Sequence, residues 1–264
     1  MNILIFGCGN MGGAMLAGWL AGGLDPASVT VVDPFLPAAP QGVTLLREVP
    51  QRAFDVVLLG VKPQVLDDVA AALSPALGQG TTLLSILAGV ELVSLAARFP
   101  QAGALVRVMP NLAAAIGKSP MALFGQGLDQ AGQDRITALL RPLGTPEWLA
   151  AESEFDLVTA LAGCGPGFVY RFIDALASGA AALGLDPAQA QRLAVATVEG
   201  AAQLAAASEH SPAELARRVA SPGGSTQKGL DVLDEDQALL RLIEATLRAA
   251  RDRNAEMAAA ARGS

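Results

Sequence analysis

The chain has 264 residues, a formal net charge of −7, and 52% hydrophobic against 16% charged residues. That is too apolar for a disordered chain, and with no basic stretch it argues against a nucleic-acid partner. The mean hydropathy of +0.42 raises the question of a membrane span. However, the longest unbroken apolar runs, such as Val56–Leu59, are strand-sized, well short of the roughly 20 apolar residues a spanning helix needs.

Residues 2–6 predict a strand closed by glycine, with neither the basic region nor the cleavage pattern of a secretory signal, so a cytoplasmic chain is expected. A helix is predicted over 11–21, stopping at Gly22-Gly23, and a second strand over Val29–Val32. Residues 55–59 are a continuous apolar run of the kind buried on both faces of a parallel sheet. Pro63 can open a helix, predicted over 63–76, and 82–86, 104–108 and 121–124 read as further strands. Strands alternating with helices imply a parallel, doubly wound sheet over 1–150. Beyond residue 150 the strand signal disappears. Helices are predicted over 155–161, 166–183, Pro187–Ala207, Pro212–Val219, 226–233 and 236–260, an all-helical domain over 151–264. Asp186 with Pro187 supplies a cap and a first turn, and Ser211 with Glu214 fits a capping box.

Two motifs carry chemistry. Gly7-Cys8-Gly9-Asn10-Met11-Gly12 matches G-x-G-x-x-G between a predicted strand and a predicted helix, the context a dinucleotide loop requires. Gly7 permits the tight turn, Gly9 lets a pyrophosphate approach the backbone, and Gly12 lets the helix pack on the strand. The N-terminal domain is therefore read as Rossmann-type. Asp33 follows the second strand, about 20 residues beyond the motif, where a carboxylate hydrogen-bonds the adenosine ribose. Pro34-Phe35-Leu36 bring no Arg or Lys for a 2′-phosphate, so NADH is favoured over NADPH. The second motif, Ser221-Pro222-Gly223-Gly224-Ser225-Thr226, lies between two predicted helices. Its paired glycines free successive N–H groups to make an anion nest suited to a small carboxylate, although a serine-capped turn between helices has the same composition.

Five segments together resemble the pyrroline-5-carboxylate reductase family: Gly7–Gly12, Val61-Lys62-Pro63-Gln64, Arg107-Val108-Met109-Pro110-Asn111, Ala162-Gly163-Cys164-Gly165-Pro166 and Ser221–Thr226. The resemblance implies hydride transfer from NADH or NADPH to the C=N carbon of 1-pyrroline-5-carboxylate, giving L-proline. It implies that Gly223, Gly224, Ser225 and Thr226 hold the substrate carboxylate with the Ser221 hydroxyl, and that Thr226 also faces the ring nitrogen. Glu209 would stand near that nitrogen. Val61, Lys62 and Pro63 would line the cofactor site, with Met109, Pro110 and Asn111 under the nicotinamide. The resemblance further implies a homodimer formed through the helical domain, and larger rings beyond it. The chain departs from the family at Ala162, where serine is usual, and at Ala216-Arg217, where a basic–acidic pair is usual.

The residues suit this chemistry. A protonated cyclic imine is already a good electrophile, so a chain with one histidine, His210, and three lysines needs no strong general acid. Cys8 and Cys164 lie far apart, so neither a disulfide nor a metal site is expected. Cys8 reads as a small residue beside the cofactor, His210 as a solvated residue near a helix start, and Trp19 and Trp148 as packing residues. Two alternatives stand beside this reading. Another two-domain imine or β-hydroxyacid dehydrogenase is one, but a hydroxyacid enzyme of this architecture needs a helical lysine in the second domain, and Lys228 is the only lysine there. A non-catalytic dinucleotide-binding regulator is the other, and it would have no reason to keep a carboxylate nest.

Overall fold

A computed structural model of the chain describes residues 1–262. Its strands are β1 (Ile3–Phe6), β2 (Val29–Val32), β3 (Thr44–Leu46), β4 (Val56–Leu59), β5 (Thr82–Ser85), β6 (Ala104–Met109), β7 (Ser119–Gln126) and β8 (Gly144–Trp148). They form one sheet in the order β3-β2-β1-β4-β5-β6-β7-β8. The first six positions reproduce the order of a dinucleotide-binding doubly wound sheet, with parallel pairing throughout. Helices α1 (Asn10–Ala21), α2 (Leu66–Leu73), α3 (Leu92–Arg98) and α4 (Gln130–Leu140) connect them.

The strands are apolar on both faces because both are covered. Ile3 and Ile5 join Met15, Trp19 and Val31 in one core, while Leu4 faces the other, with Val57, Leu73 and Phe99. That alternation is the two-residue repeat of a strand serving two layers at once. Trp19 is a packing residue, fully enclosed, and its indole N–H donates to the Leu139 carbonyl at 2.7 Å.

The sheet is the expected doubly wound, mainly parallel one, with one antiparallel pairing that the strand pattern did not indicate. β7 runs antiparallel to β6, pairing Met109 with Ala122, and β8 runs parallel to β7. The reason is the length of the connection. Only residues 110–118 separate β6 from β7, and a parallel crossover needs about a dozen or more. The helix predicted over 63–76 is found, α-helical over α2 and completed at each end by a single 3-10 turn, Pro63–Val65 and Ser74–Ala76.

After β8 the chain is helical: α5 (Phe155–Val158), a π-helical turn (Thr159–Gly163), α6 (Gly165–Ala182), α7 (Pro187–Ala207), α8 (Pro212–Val219), α9 (Ser225–Asp234) and α10 (Ala238–Arg262). The Asp186 side chain caps α7 by accepting from the Gln189 N–H, and Ser211 with Glu214 forms the reciprocal capping box of α8. The chain divides into two compact units, one of Met1–Cys164 with the chain from Ala249 onward, the other of Gly165–Arg248. No helix among the described residues is long and apolar enough to cross a membrane.

Within the first unit, a buried ion pair ties the segment after β8 to the sheet. Arg107 on β6 donates from Nη1 to Glu152 Oε1 at 2.7 Å, and its guanidinium lies 4.0 Å from the centre of the Phe155 ring. The same carboxylate oxygen accepts the Leu92 N–H at the start of α3.

Candidate active site

The glycine loop sits at the carboxyl end of β1, where ligands bind in open α/β sheets. Gly7 has φ +86°, and a Cβ there would lie 2.9 Å from the Gly60 carbonyl oxygen. At Gly12 a Cβ would come within 2.6 Å of the Gly7 carbonyl oxygen. At Gly9, in contrast, a Cβ would meet nothing within 4 Å. Two glycines are therefore required by packing, and the third faces open space. Gly9 is also the N-cap of α1 and supplies no side chain to it, and the first turn, which includes Asn10, Met11 and Gly12, holds no acidic residue. The leading N–H groups of α1 are left for an outside acceptor, and the helix dipole adds to their attraction for an anion. The loop fits a dinucleotide pyrophosphate.

Asp33 stands at the end of β2, partly buried. Its Oδ2 accepts the Cys8 N–H at 2.8 Å, and its Oδ1 accepts the N–H groups of Phe35 and Leu36 at 2.8 and 3.1 Å. A carboxylate has about four acceptor sites, so room remains for one further donor. Burial, and then the Asp33 charge, push the Cys8 thiol up from its ordinary value, which keeps it neutral and unreactive. Val61 packs over the same loop, since its Cγ1 would lie 2.9 Å from a Cβ on Gly7. Lys62 is exposed just before the turn opened by Pro63.

Met109 ends β6, Pro110 and Asn111 follow it, and all three are buried. The Met109 side chain belongs to a small core with Ala122 and Phe155. Asn111 is engaged on every side. Its N–H donates to Ser119 Oγ, its Oδ1 accepts the Ala113 N–H, and its Nδ2 donates to the Ala162 carbonyl, all at 2.9 Å. That last bond joins the strand end to the π-helical turn, so two segments far apart in sequence are fastened together by one amide.

Ser221–Thr226 and Glu209 lie in the second unit. Ser221-Pro222-Gly223-Gly224 form a turn closed by the Gly224 N–H donating to the Ser221 carbonyl at 2.9 Å, with Gly223 at φ +71°. Proline then a left-handed glycine is the pattern of a type II turn. Helix α9 begins at Ser225, and its N-cap, Gly224, has no side chain to satisfy the first N–H groups. Ser221 Oγ stands beside Gly224, within 2.4 Å of where a Cβ would lie. The loop thus presents uncapped N–H groups with the hydroxyls of Ser221, Ser225 and Thr226 around them, the donor set a carboxylate needs. Glu209 is exposed in the bend between α7 and α8 and makes no hydrogen bond to this loop. His210, next to it, is exposed and contacts Arg218.

A relative from Pseudomonas aeruginosa, named pyrroline-5-carboxylate reductase, is 36% identical over 268 residues, covering 97% of each chain. The chain belongs to the pyrroline-5-carboxylate reductase family. A second protein of that name, from Aquifex aeolicus, is 36% identical over 89% of each chain. Among solved structures, a pyrroline-5-carboxylate reductase from Coxiella burnetii matches with a TM-score of 0.89 at 30% identity, over 97% of this chain and 98% of that one. A family model described as pyrroline-5-carboxylate reductase dimerisation matches residues 152–257, and one described as NADP oxidoreductase, coenzyme F420-dependent, matches residues 2–89. The glycine loop of this family member lies in the second of those segments and the serine–glycine loop in the first.

The structure also places residues that no motif names. Gly60, at the end of β4, carries its backbone so close to Gly7 that a Cβ on it would lie 2.6 Å from the Gly7 oxygen. Its signal in the sequence is a glycine directly after the buried run Val56–Leu59. Arg47 comes to the Asp33 loop from the strand next door. It was hidden because β3 has only three residues, one of them exposed.

Proposed function

We propose that this chain is a pyrroline-5-carboxylate reductase, reducing the C=N bond of 1-pyrroline-5-carboxylate to give L-proline at the expense of a reduced nicotinamide dinucleotide. The observation that carries the reading is the pair of uncapped helix starts, each preceded by glycine, in a member of this family. Gly9, Asn10, Met11 and Gly12 receive the pyrophosphate at α1. Asp33 takes the adenosine ribose with its remaining acceptor site and favours NADH. Val61, Lys62 and Pro63 border the cofactor, and the buried Met109-Pro110-Asn111 segment forms the floor beneath the nicotinamide. When bound, the reduced nicotinamide supplies a hydride to the imine carbon.

Residues 1–150 serve the cofactor, and the helical domain over 151–264 serves the substrate and the dimer. The uncapped N–H groups of Ser225 and Thr226 hold the carboxylate with the Ser221 hydroxyl, and Gly223 and Gly224 shape the turn that presents them. Fixing the acid sets the imine face, a proximity effect. The Thr226 hydroxyl orients the ring nitrogen and relays a proton to it from solvent water, and the resulting iminium takes the hydride at carbon to give the amine. Glu209 supplies negative charge near that nitrogen.

A steady-state assay with NADH and NADPH against five- and six-membered cyclic imine carboxylates tests the reading. Consumption of the five-membered substrate supports it, and tight dinucleotide binding without turnover refutes it. Thr226→Ala is expected to lower kcat by about 10²-fold or more, as loss of an acid–base group does, with NADH affinity retained. An unchanged kcat would remove Thr226 from the reaction.

A further inference from the structure

The loop after β2 holds a cationic group as well as a carboxylate. Arg47 is the first residue after β3, and pairing Val32 with Leu46 brings the ends of β2 and β3 level. The Asp33 N–H extends that pairing to the Leu46 carbonyl at 3.3 Å. Arg47 then reaches across and donates from Nη1 to the carbonyls of Asp33 and Leu36, at 2.6 and 2.8 Å. Both bonds use one nitrogen. Nε and Nη2 make no hydrogen bond to a described residue, and the side chain is exposed.

Two consequences follow from the charge and from the anchoring. A guanidinium stays protonated at any working pH and keeps its remaining donors in a rigid fork that matches phosphate oxygens. Its attachment to two carbonyls of the loop removes much of the rotamer freedom it would otherwise lose on meeting a ligand. Asp33, in turn, has three of its acceptor sites filled by backbone N–H groups. The loop therefore offers one site for a hydroxyl and a poised cation for an anion.

We propose that Arg47 is the specificity-determining residue that admits the 2′-phosphate of NADPH to a site where Asp33 alone would repel it. The chain then uses both dinucleotides, and Arg47 sets the balance between them. This rests on the dinucleotide site proposed above, and Leu36 contributes to it only a backbone carbonyl that anchors Arg47.

The test is direct binding, which needs no turnover. Wild type and Arg47→Gln are titrated with NADPH and with NADH by nicotinamide fluorescence, and adenosine 2′,5′-bisphosphate competes against 5′-AMP in a second series. Glutamine keeps amide donors for the loop carbonyls and removes the charge. The NADPH:NADH affinity ratio is expected to fall by roughly tenfold to a hundredfold, the worth of a hydrogen bond to a charged group. The bisphosphate:AMP ratio should fall with it. Added salt should erode the wild-type ratio and barely move that of the variant. An unchanged ratio overturns the proposal, whether both affinities drop together, as loss of loop closure alone would make them, or neither moves. A wild type that binds neither dinucleotide would instead overturn the cofactor site itself and take this proposal with it.

Discussion

A methyl group added at three glycines of one loop meets three different surroundings. At Gly7 it would require a left-handed alanine pressed onto Gly60, and at Gly12 it would overlap the Gly7 carbonyl. At Gly9, φ is −70° and ψ −158°, a conformation alanine adopts freely, with open space beyond. Gly12→Ala should therefore cost stability, about 1–3 kcal/mol as overpacking does, read as a lower urea midpoint. Gly9→Ala should unfold like wild type yet bind NADH at least about tenfold more weakly, because the methyl occupies the ground the pyrophosphate needs. Equal loss of stability in both variants would contradict this division, as would undiminished NADH binding by Gly9→Ala. The motif made all three glycines legible. Arg47 was not, because it acts through a neighbouring strand whose place in the sheet the local sequence does not state, and Gly60 is marked only by its place directly after the buried run Val56–Leu59.

Among the elements, long apolar or well-capped segments were readable, and exposed or polar ones were not. Helices α7 and α8 have the predicted bounds because Asp186-Pro187 and Ser211-Pro212 mark their starts with side chains that accept backbone N–H groups. β8 escaped notice because Pro146 and Glu147 interrupt any strand pattern, and a strand at the edge of the sheet tolerates both. α4 was missed because its sequence is polar and contains Gly132. The π-helical turn has no signal in composition, and the direction of β7 could have been taken from the short connection before it.

The ion pair of Arg107 with Glu152 belongs to the same scale, since it joins β6, the start of α3 and the segment leading to α5. The Arg107 side chain is only 4% exposed and that of Glu152 27%, and Arg107 Nε is buried without a partner. Taking away the carboxylate charge leaves the guanidinium buried without a counter-ion. Glu152→Gln is therefore expected to destabilise the first unit by about 3 kcal/mol, the low end for breaking a buried pair because the carboxylate is part-exposed. The measurement is a urea midpoint at unchanged slope. A shift under about 1 kcal/mol, the range of a surface pair, would show that solvent already screens the interaction.

The whole molecule poses a problem that one chain does not solve. Helix α6 has 18 residues and none of them is buried, and α7 encloses only Ala190 and Ala194. Tyr170, Phe172 and Leu176 on α6, Leu193 on α7, and Leu240 and Leu242 on α10 are all exposed. Apolar surface on so many helices of one unit is what an interface leaves behind when its partner is taken away, and the conformational entropy of ordering these helices would go largely uncompensated in a lone chain. We therefore expect a homodimer formed through this unit, with the helices of two copies completing each other's core. Sedimentation should show no monomer at micromolar concentration, and the thermal midpoint should rise with protein concentration, as mass action requires. Phe172→Asp with Leu176→Asp should give a monomer in which amide exchange across α6 and α7 is fast while β1 and β4 stay protected. A wild-type monomer with α6 and α7 protected as strongly as the sheet would mean that the helical unit stands without a partner. The dimer would then lose its physical basis, because the exposed side chains would have no core to complete.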